Sequence, residues 1–377
     1  MNLPHDTIDP DGLLEYSVVF TDRSLNHMSQ RFVGVMQQLL EILREAYDAN
    51  SVAVVPGGGS YAMEAVARQL ADKQRVLVVR NGLFSYRWSQ IFESAGNAAE
   101  VLVAPARAES DQPQAAFAPA PIEEVTALIR EQRPAVVFAP HVETAAGIQL
   151  TDEYIAALAQ AVHEVGGVMV LDCIASGASW VSMKATGVDV LISAPQKGWS
   201  GTPCAGYVML SEAGAAKVQA TTSSSFALDL KKWLFIADEY VAGRAPYHAT
   251  MPTDSLAHNA ELMEEARQIG LDKLKAAQVE LGAKVRALMA ERGFASVAAA
   301  EFAAPSVVVS YTDDQGIRTG AAFKEVGVQI AAGVPLHCGE PEDFSSFRLG
   351  LFGLDKLGDV DGTVARLKDA LDRVASK

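Results

Sequence analysis

The chain has 377 residues, about half of them apolar, and a formal net charge of −15. This length fits one large domain plus a smaller one, and the acidic balance argues against a nucleic-acid-binding protein, which needs a basic surface. Three cysteines, Cys173, Cys204 and Cys338, fit a reducing compartment without a disulfide framework. Neither a signal peptide nor a membrane-spanning apolar run is evident, so we expect a cytoplasmic protein that binds no membrane.

Short apolar runs alternate with amphipathic stretches through the first half of the chain. This alternation predicts parallel strands covered by helices on both faces of a sheet. The predicted strands are residues 51–55, 75–79, 99–103, 135–139, 168–172 and 188–194, and the predicted helices are residues 61–71, 85–96, 122–130 and 152–165. The Ala- and Pro-rich residues 104–121 are interpreted as a surface excursion, because the alternation resumes after them.

The pattern changes near residue 254, which predicts a smaller α+β domain. A long helical stretch to about residue 292 precedes strands at 306–312 and 346–351 and a last helix at 359–374. Between those two strands lie a helix near 319–325 and an apolar run at 328–332. The domain prediction is therefore an N-terminal segment (1–24) near the active site and the small domain, a large domain (25–253) and a small domain (254–377).

A glycine-rich turn, Pro56-Gly57-Gly58-Gly59-Ser60, follows the first predicted strand and precedes a helix. Glycines let the backbone approach a phosphate closely, and a helix N-terminus offers free N–H groups. The Walker A lysine and the GxGxxG spacing are both absent, so a nucleotide site is not favoured. The alternative is a tight turn without a ligand.

Two further polar residues follow buried strands of the same predicted sheet. Asp172 ends the strand at 168–172, and Lys197 follows the strand at 188–194 within a turn of small residues. A buried carboxylate favours a cationic partner, and desolvation lowers the pKa of a lysine so that its free amine can react with an aldehyde. Taken singly, Asp172 could be a helix N-cap or an ion-pair partner and Lys197 a surface lysine. Together with the glycine turn, they predict one crevice at the carboxyl edge of the sheet.

Eight motifs resemble those of the class V aminotransferases of pyridoxal phosphate (PLP) fold type I, the group with alanine–glyoxylate and serine–pyruvate aminotransferases. They are GGGSYAMEA, RNGLFSYRW, PHVETAAG, VLDCIAS, SAPQKGWSGTPCAGYV, FALDLKKW, YHATMP and SFRLGLFG. The resemblance spans residues 27–374. It implies an α/β fold with a mostly parallel seven-stranded sheet in the large domain, a smaller α+β C-terminal domain, and PLP as cofactor.

The resemblance also implies roles for individual residues. Lys197 would hold PLP as a Schiff base and then serve as the base that moves a proton, while Asp172 would keep the pyridine nitrogen protonated. Ile174 would lie against the ring, and Phe84 stands where the family places a stacking aromatic; its alternative is a core phenylalanine. The phosphate would be held by Gly58, Gly59, Ser60 and Gln196, and the phenolic oxygen of the cofactor would lie near Thr144. In a homodimer, the phosphate would also be reached by Tyr247 and Thr250 of the neighbouring subunit.

Arg348 would bind the substrate carboxylate in a bidentate fork, unless it is a structural or surface arginine. The implied reaction moves an amino group from a small amino acid of the alanine or serine type to a 2-oxo acid of the glyoxylate or pyruvate type. A Pro-Gly-Pro that is common near the N-terminus of family members is absent, and residues 13–23 are expected to line the substrate pocket instead. GGGSYAMEA and ALDLKKW also resemble the aminoethylphosphonate branch, so a 2-aminoethylphosphonate–pyruvate transaminase is the alternative.

Three alternatives to this hypothesis come from other reactions or from another class of protein. A cysteine desulfurase is disfavoured because Cys338 precedes Arg348 by only ten residues and Gln196 replaces the usual histidine before the lysine. A PLP lyase of the same fold stays open. A non-enzymatic accessory protein is the alternative from another class, although Lys197 and Asp172 are both present. The histidines show no metal-site spacing, so no metal is expected.

Overall fold

A seven-stranded mixed sheet forms the centre of the computed structural model, which describes residues 7–375. Its strand order is β1-β11-β10-β9-β6-β2-β3. Strands β10, β9, β6, β2 and β3 pair in parallel, and β11 lies antiparallel between β1 and β10. The prediction of an α/β fold with a mostly parallel seven-stranded sheet is confirmed for the described residues.

The bounds of the elements follow the predicted alternation closely. The helices are α1 (Gln30–Tyr47), α2 (Gly59–Leu70), α3 (Leu83–Ala95), α4 (Ile122–Gln132), α5 (Asp152–Glu164), α6 (Met183–Thr186), α7 (Glu212–Ala220), α8 (Leu230–Val241), α9 (Thr253–Ile269), α10 (Leu271–Glu291), α11 (Gln315–Thr319), α12 (Ala321–Lys324), α13 (Leu354–Leu357) and α14 (Val360–Ala375). The strands are β1 (Ser51–Pro56), β2 (Arg75–Arg80), β3 (Glu100–Pro105), β4 (Arg107–Ala108), β5 (Phe117–Ala118), β6 (Val136–Pro140), β7 (Val142–Glu143), β8 (Ile148–Gln149), β9 (Val168–Asp172), β10 (Val190–Ser193), β11 (Ala205–Leu210), β12 (Val307–Tyr311), β13 (Ala331–Ala332) and β14 (Ser346–Gly350).

The central strands are buried on both faces because helices cover both sides of the sheet. All residues of β6, β9, β10 and β11 are buried, as their nearly continuous apolar sequences require. Since β1, β2, β6, β9 and β10 run in the same direction, their carboxyl ends meet at one edge. The loops that follow these five strands therefore lie side by side, and they carry the predicted site residues.

A second, three-stranded antiparallel sheet, in the order β12-β14-β13, forms the smaller C-terminal unit together with α10 and α14. Its middle strand carries Arg348, which pairs with Val309 on one side and with Ala331 on the other. The described C-terminal residues thus match the predicted α+β architecture. The division at residues 24/25 and 253/254 stays a prediction, since α9 begins at Thr253 and packs along α1.

Two predicted segments differ from the structure. The long helix near 254–292 is two helices, because Gly270 between them has φ +105, which ordinary residues avoid. Residues 104–121 are more than a surface excursion, because they contain the β4–β5 hairpin. Phe117 in that hairpin is buried, and its amide donates a hydrogen bond of 2.7 Å to the Val297 carbonyl.

Strand β11 was not predicted as a separate strand, although it follows the lysine turn directly. It contacts helix α2 through Gly206, where an added Cβ would lie 2.4 Å from the Ala62 Cβ. Glycine at this position therefore lets the start of α2 pack directly on the sheet. Across residues 7–375, the structure contains no helix with both the length and the apolar content that a bilayer crossing requires.

Candidate active site

The glycine turn brings the start of α2 against the loop that follows β9. Gly57 has φ +121, and its amide donates a 2.8 Å hydrogen bond to the Cys204 carbonyl. A Cβ added at Gly59 would lie 2.5 Å from the Ile174 Cδ1. The absence of side chains on the turn therefore lets the first backbone N–H groups of α2 approach the same space that Asp172 and Ile174 face.

Asp172 ends β9 and is buried, with its Oδ1 accepting a 3.0 Å hydrogen bond from the Ile174 amide. Burial raises the pKa of this carboxyl to about 7, with a smaller increase from the negative charge of Glu143 and an opposing effect from Arg87. No ion pair joins Asp172 to a cationic side chain within the described residues. The carboxylate thus lacks the positive partner that its burial demands.

Lys197 lies in the turn after β10, and glycine fixes the position of that turn. A Cβ at Gly198 would lie 2.1 Å from the Gly177 carbonyl oxygen, so the two backbones are in direct contact. The pKa of Lys197 is lowered mainly by partial burial and further by the charges of Arg348 and Arg87. A lowered pKa increases the fraction of neutral amine near pH 7, which is the nucleophilic form.

Glu143 supports the start of α3 and was not singled out in the sequence. It is fully buried, and its carboxylate accepts hydrogen bonds from the Ser85 amide (2.8 Å), the Ser85 hydroxyl (2.7 Å), the Phe84 amide (3.2 Å) and the Ala145 amide (2.9 Å). Burial raises the pKa of Glu143 despite these donors. The signal available in the sequence was its position next to Thr144 in the PHVETAAG motif.

Two arginines lie near the ring of Phe84. The Arg87 guanidinium carbon is 4.8 Å from the ring centre, and the Arg348 guanidinium carbon is 5.4 Å from it. Arg348 also donates from Nε to the Ala332 carbonyl at 2.8 Å, which fixes the orientation of its side chain. Sequence reasoning missed Arg87, although it follows the predicted stacking residue by one helical turn.

These side chains line a cavity of about 420 Å³ between the two sheets. Of the residues predicted for the site, the structure brings nine together here: Gly59, Ser60, Phe84, Thr144, Asp172, Ile174, Gln196, Lys197 and Arg348. The lining also includes Met63, Arg87, Val142, Ala175, Val307, Ala331, Gly350 and Phe352. Small-molecule sites commonly combine such a volume with a few convergent polar groups.

Three predicted residues and one predicted segment lie elsewhere in the chain. Gly58 precedes α2 but does not line the cavity. Tyr247 and Thr250 are exposed, and their hydroxyls lie 3.1 Å apart. Residues 13–23, expected at the substrate pocket, instead belong to the N-terminal segment that contributes to a separate cavity of about 530 Å³. The first six residues of the predicted N-terminal segment lie outside the described part of the chain.

Comparisons with known proteins agree with this geometry, although no family model matches the chain. A 2-aminoethylphosphonate–pyruvate transaminase of Paraburkholderia xenovorans (strain LB400) is 29% identical over 360 residues, covering 94% of this chain and 90% of the relative. The aspartate aminotransferase of subgroup IV from Thermus thermophilus is 26% identical, with a TM-score of 0.73 and 93% of each chain covered.

The alanine–glyoxylate aminotransferase of a Nostoc species has the same fold. It superposes with a TM-score of 0.75 at 21% identity and covers 92% of this chain and 89% of its own. The sequence relative, the two structural neighbours and the fold agree with the resemblance inferred from the eight motifs. The chain is therefore an aminotransferase with the PLP fold type I, and it is similar to the class V aminotransferases.

Proposed function

We propose that the cavity around Lys197 is the active site of a PLP-dependent transaminase that takes a small amine of the 2-aminoethylphosphonate type and uses pyruvate as acceptor. The observation that carries this proposal is the meeting in one cavity of Lys197, Asp172 and Arg348. A half-buried amine, a buried carboxylate and an arginine on the second sheet are the groups that such a reaction needs.

The lining fits PLP in its chemistry and in its size. Asp172 lacks a cationic partner among residues 7–375, and a protonated pyridine nitrogen would supply one. Gln196 carries a buried Oε1 without a hydrogen-bond partner among the described residues. Gly59 begins α2 and lines the cavity, so the first backbone N–H groups of this helix are available to a phosphate.

When bound, the cofactor supplies an aldehyde that receives the amino group and a ring that withdraws electron density from the reacting carbon. Lys197 attaches the cofactor through its Nζ, and its lowered pKa favours the neutral amine that can do so. Once displaced by substrate, the same amine would be placed to accept and return a proton as the base of the reaction. The centre of the Phe352 ring lies 5.2 Å from Nζ, so the amine faces this ring.

The charge of Asp172 depends on whether a cation lies beside its carboxyl group. With no cation nearby, burial holds the pKa of its carboxyl near 7. A protonated ring nitrogen would lower this pKa and keep the carboxylate charged, since an opposite charge favours the ionised form. In the folded site the pair would stabilise the proton on the ring and so increase its electron-withdrawing strength.

Arg348 binds the acidic group of the substrate. Its guanidinium forms no ion pair with a carboxylate of residues 7–375, and Nε is held by the Ala332 carbonyl. The remaining N–H groups are therefore available to a carboxylate or a phosphonate in a forked geometry. Burial lowers the pKa of Arg348, so an anionic ligand would relieve the cost of its desolvation.

The choice of donor revises the first expectation from the sequence. Alanine or serine was the expected donor, whereas the sequence relatives found are named 2-aminoethylphosphonate–pyruvate transaminases, at 29% and 26% identity. That name supports the alternative, a 2-aminoethylphosphonate–pyruvate transaminase. The alignments cover at least nine-tenths of this chain and of each relative, so the likeness is not confined to one part of the chain.

An alanine–glyoxylate exchange is the second candidate. It is supported by the YHATMP motif and by Gln196 immediately before Lys197, both of which resemble that branch. The Nostoc enzyme of that name shares the fold alone at its level of identity.

The active site is also proposed to need a second copy of the chain. Tyr247 and Thr250 are exposed and lie outside the cavity of their own subunit, so in a homodimer they are free to reach the phosphate of the neighbour. Mixing Lys197→Ala with Tyr247→Ala protein should then restore activity, because one hybrid site would contain both intact residues. A verified hybrid dimer with no more activity than the two variants have separately would contradict a shared site.

A half-reaction screen tests the proposed function. PLP-loaded protein is mixed, without acceptor, with 2-aminoethylphosphonate, alanine or serine, and the absorbance of the lysine-bound cofactor is followed. Fastest loss of this absorbance with 2-aminoethylphosphonate, and its return on adding pyruvate, is the expected result. Faster loss with alanine would favour the second candidate, and no loss with any donor would contradict transamination of these substrates.

A further inference from the structure

Arg87 is a cavity residue to which neither the sequence motifs nor the proposed mechanism gives a role. It lies on α3, one turn after Phe84, and lines the cavity with Ser60. Its Nη1 is 3.5 Å from the Ser60 hydroxyl oxygen, and its guanidinium carbon is 4.8 Å from the centre of the Phe84 ring. The guanidinium is thereby held between the glycine turn and the predicted stacking ring.

This guanidinium has no carboxylate partner in the described part of the chain. The structure contains no ion pair between Arg87 and residues 7–375, and its hydrogen bond to Ser60 is at the limit of the normal distance. The side chain is only partly exposed. An arginine that is partly desolvated, unpaired and directed into a cavity favours an anionic ligand.

The distribution of positive charge in the cavity indicates which anion this is. Among the described residues that line the cavity, the basic side chains are Arg87, Lys197 and Arg348. In the proposed function Lys197 is bonded to the cofactor and Arg348, on the small sheet, takes the substrate acid. Arg87 is the remaining cation, and it lies beside Ser60 at the start of α2, where free backbone N–H groups already favour a phosphate.

We infer that Arg87 is a direct ligand of the cofactor phosphate, acting together with Ser60 and the N-terminus of α2. This inference rests on the proposed function, because it assumes that the cofactor occupies the cavity. A guanidinium beside a phosphate dianion forms charge-assisted hydrogen bonds, which are stronger than hydrogen bonds between neutral groups. Phe84 would stabilise the orientation of this guanidinium through its ring face.

Titration of the apoprotein with two ligands tests this role without measuring turnover. PLP and pyridoxal, which lacks the phosphate, are each titrated into wild type, Arg87→Gln and Arg87→Lys, and binding is followed by absorbance. Arg107→Gln is the matched control, because Arg107 on the β4–β5 hairpin is exposed, is paired with Glu124 and does not line the cavity. Thermal unfolding of each apoprotein verifies that the variants are folded.

The expected result is a loss that depends on the phosphate. Arg87→Gln should weaken PLP binding about ten- to a hundredfold, the range for a charged hydrogen bond, and change pyridoxal binding less than about threefold. The affinity of Arg87→Lys for PLP should lie between those of wild type and Arg87→Gln. Arg107→Gln should bind PLP as tightly as wild type does. Inorganic phosphate should compete with PLP in wild type more strongly than in Arg87→Gln.

Three results would overturn the inference. Equal weakening of PLP and pyridoxal would indicate that Arg87 only supports the shape of the pocket. Unchanged PLP binding with weaker binding of 2-aminoethylphosphonate would assign Arg87 to the substrate. Failure of wild type to bind either PLP or pyridoxal would instead contradict the proposed function, and with it this inference.

Discussion

The two walls of the cavity are built in different ways. The large-sheet wall consists of Ser60, Asp172 and Lys197, which follow the carboxyl ends of strands in the seven-stranded sheet. The small-sheet wall consists of Arg348 and Phe352, on and after β14 of the three-stranded sheet. Close glycine contacts fix the first wall, whereas the arginine of the second is fixed by a hydrogen bond to the Ala332 carbonyl.

This difference separates the chemistry from the choice of substrate. The residues proposed to attach and activate the cofactor lie on the wall with buried strands behind it, where small displacements are costly. The residue proposed to bind the substrate acid lies on the smaller sheet, where changes should alter recognition without removing the reactive groups. Variants on the two walls should therefore fail in different ways.

Lys197→Ala breaks the large-sheet wall at its reactive group and should have the largest effect. It removes the amine that is proposed both to hold the cofactor and to move the proton, so kcat should fall by at least about 10³-fold. The absorbance of the lysine-bound cofactor should also disappear. Retention of that absorbance together with turnover would show that another lysine carries the reaction.

Arg348→Gln changes the small-sheet wall alone. We expect the KM for donor and acceptor to rise about ten- to a hundredfold, because a charged hydrogen bond to the substrate acid is lost. Affinity for PLP should stay within about twofold of wild type, since Arg348 is proposed to bind the substrate and not the cofactor. Weaker PLP binding with an unchanged KM would show that Arg348 binds the cofactor and not the substrate.

Asp172→Asn tests the electrostatics of the large-sheet wall in the apoprotein. Burial raises the pKa of the folded carboxyl from its ordinary value of 3.8 to about 7, so the stability associated with the protonated carboxyl is present at low pH and is lost as pH rises through about 7. The variant avoids this loss, and its apo form should be more stable than wild type by about 2–4 kcal/mol at pH 8.

Urea unfolding of both apoproteins at several pH values measures this effect. The advantage of Asp172→Asn should shrink steadily as the pH is lowered from 8 toward 4. A difference in unfolding free energy that does not vary with pH would show that the carboxyl is not desolvated as described.

Gly59→Ala should have the smallest effect of the four. Its Cβ would lie 2.5 Å from the Ile174 Cδ1, so that side chain must shift, at a cost of about 1–2 kcal/mol in unfolding free energy. Gly34→Ala is the control, because a Cβ there meets no atom within 4 Å and alanine favours a helix. Equal stabilities of the two variants would contradict the close contact.

The large-sheet wall could be predicted from the sequence because its residues follow apolar strands. Asp172, Lys197 and the glycine turn were assigned to one edge from that position alone, and the fold has this arrangement. Arg87 and Glu143 were missed because the direction of a helical or buried side chain depends on tertiary packing. Neither residue is distinguished by local sequence pattern from a surface arginine or a solvated glutamate.

The substrate side was less predictable for the same reason. Arg348 was identified from a family motif, and its neighbours Ala331 and Val309 become neighbours only through strand pairing across the small sheet. Residues 13–23 lack an apolar pattern that would tie them to a particular element, and their expected place at the substrate pocket of the same chain was not observed.

Chemical trapping of the cofactor tests the central claim most directly. The PLP-loaded protein is reduced with borohydride, digested, and the modified peptide is identified by mass spectrometry. The account predicts one modified lysine, Lys197, and no adduct in Lys197→Ala. An adduct on a different lysine of the wild-type protein, or none at all, would contradict the assignment of the active site to this cavity.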